Sequence, residues 1–119
     1  MIYFLDTYAM VEIMQGNARF QRYLDSECKT SIFNLYELVY NVLRENEQVA
    51  LESFNSFLKF SIEIENEWLV EAARFKLKYR SRNVSYADCI GYVISLKTGM
   101  LFLTGDKEFK DFPNVEFVK

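Results

Sequence analysis

The 119-residue sequence contains no histidine. Histidine is the most frequent general acid–base residue in enzymes, the usual zinc ligand and the central member of serine–histidine–aspartate triads. Its absence excludes all of these sites from this chain. Any catalytic chemistry must therefore rest on carboxylates.

Glycine and proline are scarce, at four residues and one residue, which leaves little sequence for a disordered tail or a flexible linker. No apolar run approaches the roughly 20 residues that span a bilayer, and no basic leader precedes a long apolar stretch. We therefore expect residues 1–119 to form a single ordered domain with a cytoplasmic location.

Cysteine and positive charge are also limited. Cys28 and Cys89 are too few and too far apart for a CxxC metal site, and we expect both to be reduced packing residues. Fourteen basic against seventeen acidic residues give a net charge of −3, which excludes a global positive field that would attract a polyanion. Contacts with nucleic acid would have to be local.

Apolar runs and amphipathic segments alternate along the chain. Residues 1–5 and 100–103 are typical of buried strands, and residues 61–65 of a short edge strand. Asn34 is expected to cap a long helix, and residues 67–82 to form another. This alternation predicts an α/β fold built on a parallel sheet.

Four acids occupy the positions where the carboxyl edge of such a sheet is expected. Asp6 ends the first strand and Asp106 follows the later one, while Glu37 and Asp88 lie in the first turns of helices that begin at this edge. Singly, each is explained as a cap or turn residue, since Asp88 completes a Ser-x-x-Asp capping box and Glu37 an Asn-x-x-Glu box.

Jointly, the four carboxylates predict more than caps. Convergent carboxylates repel one another unless a cation or basic side chains neutralise them. Oxygen ligands without histidine or a cysteine pair suit Mg²⁺ or Mn²⁺, which leave coordination positions open for a phosphate. The set therefore predicts a site for phosphodiester chemistry.

Four stretches carry a resemblance to a known family: FLDTYA at 4–9, SIFNLYEL at 31–38, SYADCIGYVISLKTG at 85–99 and FLTGDKEF at 102–109. In order, spacing and total length they resemble the PIN domain, which is found in small metal-dependent ribonucleases and in VapC-type toxins of prokaryotic toxin–antitoxin pairs. The resemblance implies a three-layer PIN-like α/β fold, with a central, mostly parallel sheet of four to five strands flanked by helices.

The same resemblance implies the function. Asp6, Glu37, Asp88 and Asp106 would hold one or two Mg²⁺ or Mn²⁺ ions, and Thr104 is the hydroxyl residue of the T-x-D segment. The implied activity is that of an endoribonuclease, which hydrolyses RNA phosphodiester bonds. A toxin of this kind implies a small antitoxin that wraps over the site and a homodimer in which apolar helix faces pair.

Two residues near these motifs stand outside the predicted site. Tyr8 occupies a position where many family members have asparagine, and tyrosine is bulkier and offers no amide. Asp111 lies five residues past Asp106 in a charged loop, where solvated charge is the usual finding.

A basic stretch, RFKLKYRSR at 74–82, is the candidate contact for RNA phosphates. It places Arg74, Lys78 and Arg82 at four-residue spacing, which would align them on one helical face. An ordinary solvated face explains the pattern equally well, because three glutamates precede it and complement the helix dipole.

Three other interpretations compete with a nuclease. A receiver domain needs paired acids after the first strand, where this chain has one, and a phosphatase of the haloacid-dehalogenase type needs a second aspartate at position 8. The third alternative is a non-catalytic PIN-like module that binds RNA or protein. The four acids make this module less attractive, and metal binding would distinguish it from a nuclease.

Overall fold

A sheet of four parallel strands runs through the centre of the molecule. The computed structural model describes all of residues 1–119. The strands are β1 (Ile2–Leu5), β2 (Glu27–Lys29), β3 (Leu101–Thr104) and β4 (Val115–Phe117), in the spatial order β2-β1-β3-β4. Every neighbouring pair is parallel, so the carboxyl ends of all four strands meet at one edge.

Six helices cover the sheet: α1 (Thr7–Met14), α2 (Ala18–Gln21), α3 (Ile32–Leu43), α4 (Glu47–Phe57), α5 (Asn66–Lys78) and α6 (Tyr86–Thr98). Alternate strand residues face opposite sides, so Leu5 and Leu103 pack with α1 to α4, while Phe4 and Phe102 pack with α5 and α6. The three-layer α/β fold is thus confirmed, and its sheet is parallel throughout.

The fifth strand that the sequence allowed at residues 61–65 does not form. The chain makes one isolated bridge between Thr30 and Ser61 and then leads into α5. Strand β2 has only three residues, so it offers little backbone for further pairing. Ile62 and Ile64 pack against the hydrophobic core instead.

Two helix boundaries differ from the prediction. Ser31, not Asn34, caps α3, because the Ser31 hydroxyl accepts a hydrogen bond from the Asn34 amide at 3.2 Å. Helix α5 ends at Lys78, and the expected last turn at 79–82 lies outside it. Cys28 and Cys89 are buried and free, as predicted. No helix combines the length and apolar character that a membrane crossing requires.

Helix α6 approaches the sheet closely at Gly91. A Cβ atom there would lie 2.7 Å from Cε1 of Phe4 and 3.2 Å from Cε1 of Phe102. These two phenylalanines are fully buried and stack with their ring centroids 6.0 Å apart. Glycine therefore lets α6 lie deep on the sheet, and the first turn of this helix carries Asp88.

Replacing Gly91 by alanine is expected to lower the free energy of unfolding by roughly 1–3 kcal/mol, because the added methyl overpacks the aromatic core. In an unhindered helix the same change stabilises by about 1 kcal/mol. Urea denaturation of the parent and of Gly91→Ala measures the difference. In a Phe4→Leu background the cost should shrink, and a stabilised Gly91→Ala single variant would contradict the close approach.

Candidate functional site

Asp6 joins β1 to α1 and is fully buried. Its backbone N–H donates to the Leu103 carbonyl at 3.3 Å, and its Oδ1 atom caps α1 by accepting from the Ala9 N–H at 2.7 Å. Its second carboxylate oxygen, Oδ2, is buried without a hydrogen-bond partner. A buried oxygen in this state is costly unless a proton or a cation satisfies it.

Two other predicted acids lie close enough to Asp6 to affect its pKa. Burial raises the pKa of Asp6 well above its ordinary value, and repulsion from Asp88 and Asp106 raises it further. The Thr104 hydroxyl and the Ala9 amide act in the opposite direction. Asp6, Asp88 and Asp106 therefore influence one another at the carboxyl edge of the sheet.

Asp106 is presented by a tight turn after β3. The buried Thr104 hydroxyl accepts a hydrogen bond from the Asp106 amide at 3.0 Å. The Asp106 carboxylate in turn accepts from the Glu108 amide at 3.0 Å and caps a short 3₁₀ segment. The Thr104 hydroxyl thus fixes the backbone of the turn that carries Asp106.

Asp88 lies in the first turn of α6. Ser85 and Asp88 form the predicted capping box, with both side-chain to backbone bonds at 3.0 Å. Burial, followed by repulsion from Glu37 and Asp106, raises the pKa of Asp88 to about 6 against the lowering effect of the bonds to Ser85. The capping box and the acidic site therefore share one carboxylate.

A buried polar network holds the helices that carry these acids. The Ser31 hydroxyl donates to Oδ1 of Asn34 at 2.6 Å, and Nδ2 of Asn34 donates to the Ala87 carbonyl at 3.4 Å. The Asn34 carbonyl accepts from the Thr7 hydroxyl at 3.3 Å. These bonds join the first turns of α1, α3 and α6, and Glu37 follows Asn34 by one helical turn.

A cleft of about 460 Å³ opens over the acids. Three predicted residues, Glu37, Asp88 and Asp106, line it together with Tyr8, Glu12, Asn41 and Asn83, which the sequence did not predict. Tyr8 and Glu12 are four residues apart on α1 and therefore share the helix face that lines the cleft, but no local pattern in the sequence marks that face. Exposed Asp111 is not part of the lining, consistent with a solvated charge.

The acidic side chains suit a divalent cation in their chemistry. No group of three acids stands close enough, as arranged, to hold a metal ion. However, all their donors are oxygens, Oδ2 of Asp6 lacks a partner, and repulsion contributes to the raised pKa values of Asp6 and Asp88. A hard cation would supply the missing partner and remove the repulsion.

The three basic residues predicted to contact RNA do not share one helical face. Arg82 lies beyond α5, where its guanidinium donates to the Glu108 carbonyl at 2.6 Å and sits 4.5 Å from the centre of the Phe112 ring. Arg74 and Lys78 line a separate groove with Lys97. This lysine lies about 13 Å further along α6 than Asp88, at 1.5 Å per residue.

Without metal, the thermal stability of the protein should rise as the pH falls from about 7 to about 5. The pKa values of Asp6 and Asp88 are raised by folding, so the folded state binds these protons more tightly than the unfolded state. The gain from Asp88 begins as the pH falls through about 6 and is complete below the unfolded value near ~3.9.

Thermal unfolding in EDTA across this pH range measures the effect. Asp88→Asn carries no charge at either end of the range, so its stability should vary less with pH than that of the parent. A parent protein that loses stability steadily between about pH 7 and about pH 5 would contradict the raised pKa values.

Comparisons with known proteins agree with this architecture. Residues 3–115 match the family model described as the PIN domain. Among curated protein sequences nothing matches closely enough to count as a relative.

Several solved structures share the fold. VapBC2 from Rickettsia felis, determined with a DNA fragment from its promoter, has a TM-score of 0.74 and 20% identity, and covers 99% of this chain and 98% of its own. VapC20 from Mycobacterium tuberculosis, a Sarcin-Ricin loop cleaving toxin, has a TM-score of 0.73 and 19% identity, with coverage of 98% and 96%. A toxin–antitoxin complex from Klebsiella pneumoniae has a TM-score of 0.72 and 16% identity, with coverage of 96% and 95%.

At these identities the structural likeness shows the fold alone. The family match is independent of it and extends over nearly all of the sequence, from β1 into β4. All four quoted sequence motifs lie within the matched region. The chain belongs to the PIN domain family.

Proposed function

We propose that this chain is a metal-dependent endoribonuclease, which uses Mg²⁺ or Mn²⁺ to hydrolyse RNA phosphodiester bonds. The observation that carries the proposal is the buried Asp6 carboxylate. Capping of α1 accounts for its Oδ1 atom, whereas Oδ2 is buried without a partner and within electrostatic reach of Asp88 and Asp106. A helix cap needs only one carboxylate oxygen, so capping does not explain why the second oxygen is buried away from water.

Each predicted residue has a distinct task in this proposal. Asp6 and Asp106 would contact the cation directly, with Asp88 beside them and Glu37 acting through a water. When bound, the cation would stabilise charge on the phosphate and lower the pKa of the attacking water. Thr104 would act by position, because its hydroxyl holds the backbone of the Asp106 turn.

The proposal extends to a toxin with a small protein antitoxin. The fold is shared with a toxin–antitoxin complex from Klebsiella pneumoniae and with VapC20, the Sarcin-Ricin loop cleaving toxin. The cleft gives a chemical reason for such an inhibitor, since it presents Glu12 in addition to Glu37, Asp88 and Asp106. An antitoxin that covers it would offer basic or hydrogen-bond-donating side chains.

A homodimer is the third part of the proposal, and an apolar surface supports it. Two adjoining grooves on α3, α5 and α6 share Phe33, Tyr86 and Ile90, and the larger one also includes Leu69 and Leu77. Tyr86 is 76% exposed and Leu77 is 64% exposed. Contiguous exposed apolar side chains of this kind mark an interaction surface.

A second copy of the chain is the occupant that we propose for this apolar surface. Arg80 borders it at the α5 side and Glu37 at the α3 side. In a two-fold dimer the same surface of both copies is in contact, and the two copies run in opposite directions. The basic border of one copy would therefore approach the acidic border of the other.

Titration of Mn²⁺ into the purified protein by calorimetry tests the acidic site without knowledge of the substrate. The parent should bind saturably, and Asp6→Asn and Asp88→Asn should lose this binding together with roughly a hundredfold or more of RNA cleavage. Asparagine at position 6 still caps α1, and Ser85, the cap of α6, is unchanged in Asp88→Asn, so both helices should remain folded.

Asp25→Asn is the matched control, because Asp25 is exposed and lies outside the cleft. It should bind Mn²⁺ and cleave RNA like the parent. Absence of Mn²⁺ binding by the parent would leave the acids as caps and turns, and the non-catalytic binding module would then be the better description.

Sedimentation equilibrium tests the dimer. The parent should sediment as a dimer, whereas Leu77→Lys, which introduces a charge into the apolar surface, should shift it to the monomer. Leu51→Lys on α4 is the control, since Leu51 is 52% exposed and lies outside both grooves. A parent that remains monomeric at high concentration, or a Leu77→Lys variant that remains dimeric, would contradict this pairing.

A further inference from the structure

A second groove, of about 310 Å³, adjoins the acidic cleft. It is lined by Tyr8, Gly105, Lys107, Lys110, Phe117 and Lys119, and we name it the basic groove. Tyr8 lines both spaces, and Lys107 directly follows Asp106 of the cleft. The lining of the basic groove contains lysine and aromatic side chains and no acidic side chain.

The lysines of the basic groove are free to bind an anion. Lys107, Lys110 and Lys119 are exposed, and none takes part in either of the two ion pairs of the chain, Lys29–Glu27 and Arg74–Glu71. The ammonium group of Lys110 lies 5.4 Å from the centre of the Phe117 ring. An aromatic face orients this charge without neutralising it.

Tyr8 forms the wall between the two spaces. A Cβ atom at Gly105 would lie 2.8 Å from Cζ of Tyr8, so the tyrosine ring rests directly on the glycine backbone. Phe20 contacts the ring with its centroid at 5.9 Å. The side chain is nevertheless 43% exposed, which leaves part of an immobilised aromatic ring available to a ligand.

RNA binding at the acidic cleft would require positively charged side chains nearby. RNA is a polyanion, and the cleft presents four carboxylates in a chain of net charge −3. Phosphates that flank the reacting one would be repelled unless positive side chains stand beside the cleft. Arg74 is paired with Glu71, and Arg82 is held by the Glu108 carbonyl, whereas the lysines of the basic groove are unpaired.

We propose that the basic groove binds the RNA strand next to the scissile bond, with backbone phosphates on Lys107 and Lys110 and one base stacked on Tyr8. This inference rests on the proposed ribonuclease function and adds the path of the substrate strand over this surface. Stacking on an aromatic ring requires an unpaired base, so the substrate at this position is single-stranded RNA.

Fluorescence anisotropy with a labelled single-stranded RNA of about 12 nucleotides and mixed sequence tests the groove. EDTA prevents cleavage, so binding is measured apart from catalysis. Lys107→Gln/Lys110→Gln should weaken binding about tenfold and lower the slope of log Kd against log salt by about 1.4, because each phosphate that a lysine neutralises adds about 0.7 to that slope.

Arg74→Gln/Lys78→Gln is the matched control, because it removes the same charge from the separate groove between α5 and α6. It should change the affinity less than twofold. An equal loss of affinity in both double variants would show that only the net charge matters, and this result would overturn the proposal. A parent protein that binds no RNA at low salt would also overturn it.

The base contact is tested at Tyr8. Tyr8→Ala should weaken binding about five- to a hundredfold with an unchanged salt slope, whereas Tyr8→Phe should bind like the parent. Duplex RNA of the same length should compete poorly. Equal competition by the duplex, or a loss of affinity in Tyr8→Phe as large as in Tyr8→Ala, would overturn the stacked base.

These readouts separate the groove from the nuclease. If Asp88→Asn abolishes metal-dependent cleavage but the groove variants bind RNA normally, the ribonuclease proposal is supported and the proposal for the basic groove is contradicted. If RNA binding depends on Lys107, Lys110 and Tyr8 but the protein does not bind Mn²⁺, the proposal for the basic groove is supported and the nuclease proposal is contradicted.

Discussion

Burial of the Asp6 carboxylate is the constraint on which the arrangement of residues at the carboxyl edge of the sheet depends. One oxygen of this carboxylate is satisfied by the first turn of α1, and the other makes no hydrogen bond of normal geometry, although the Thr104 hydroxyl lies close enough to lower the pKa of the carboxyl group. Asp88 and Asp106 add repulsion. Apolar packing on both faces of the sheet offsets this local cost, with Leu5 on one side and Phe4 on the other. Such a cost, concentrated at one point of a well-packed fold, is typical of functional sites.

Local rules of sequence account for the residues whose backbone positions are fixed by their neighbours in the chain. Asp6 directly follows a buried strand, and Asp88 lies three residues after the cap of α6, so both could be predicted from spacing. Asn34 could not be assigned in this way, because serine and asparagine are both good caps and Ser31 precedes it. Its buried amide bridges α3 to α6, a contact between residues far apart in sequence.

Tyr8, Glu12 and the lysines of the basic groove illustrate a different limit. Their place depends on how α1 is rotated against the turn after β3, which tertiary packing decides and no local pattern encodes. The close approach of the Tyr8 ring to Gly105 fixes this rotation. As a result, an acidic cleft and a basic groove stand side by side, although the net charge of the chain suggests neither. The charge that matters at a site of this size is local, since salt screens interactions beyond about 10 Å.

The outer strands of the sheet, β2 and β4, have three residues each. Part of the backbone beyond β2 is already occupied, because Thr30 exchanges hydrogen bonds with the segment around Ser61. Long, flat edge strands act as templates on which further chains add by backbone pairing, and short ones offer few free N–H and C=O groups. The short edge strands therefore disfavour the open-ended stacking of strands that leads to fibrils, and any self-association would use side-chain surfaces on the helices, which can form closed assemblies.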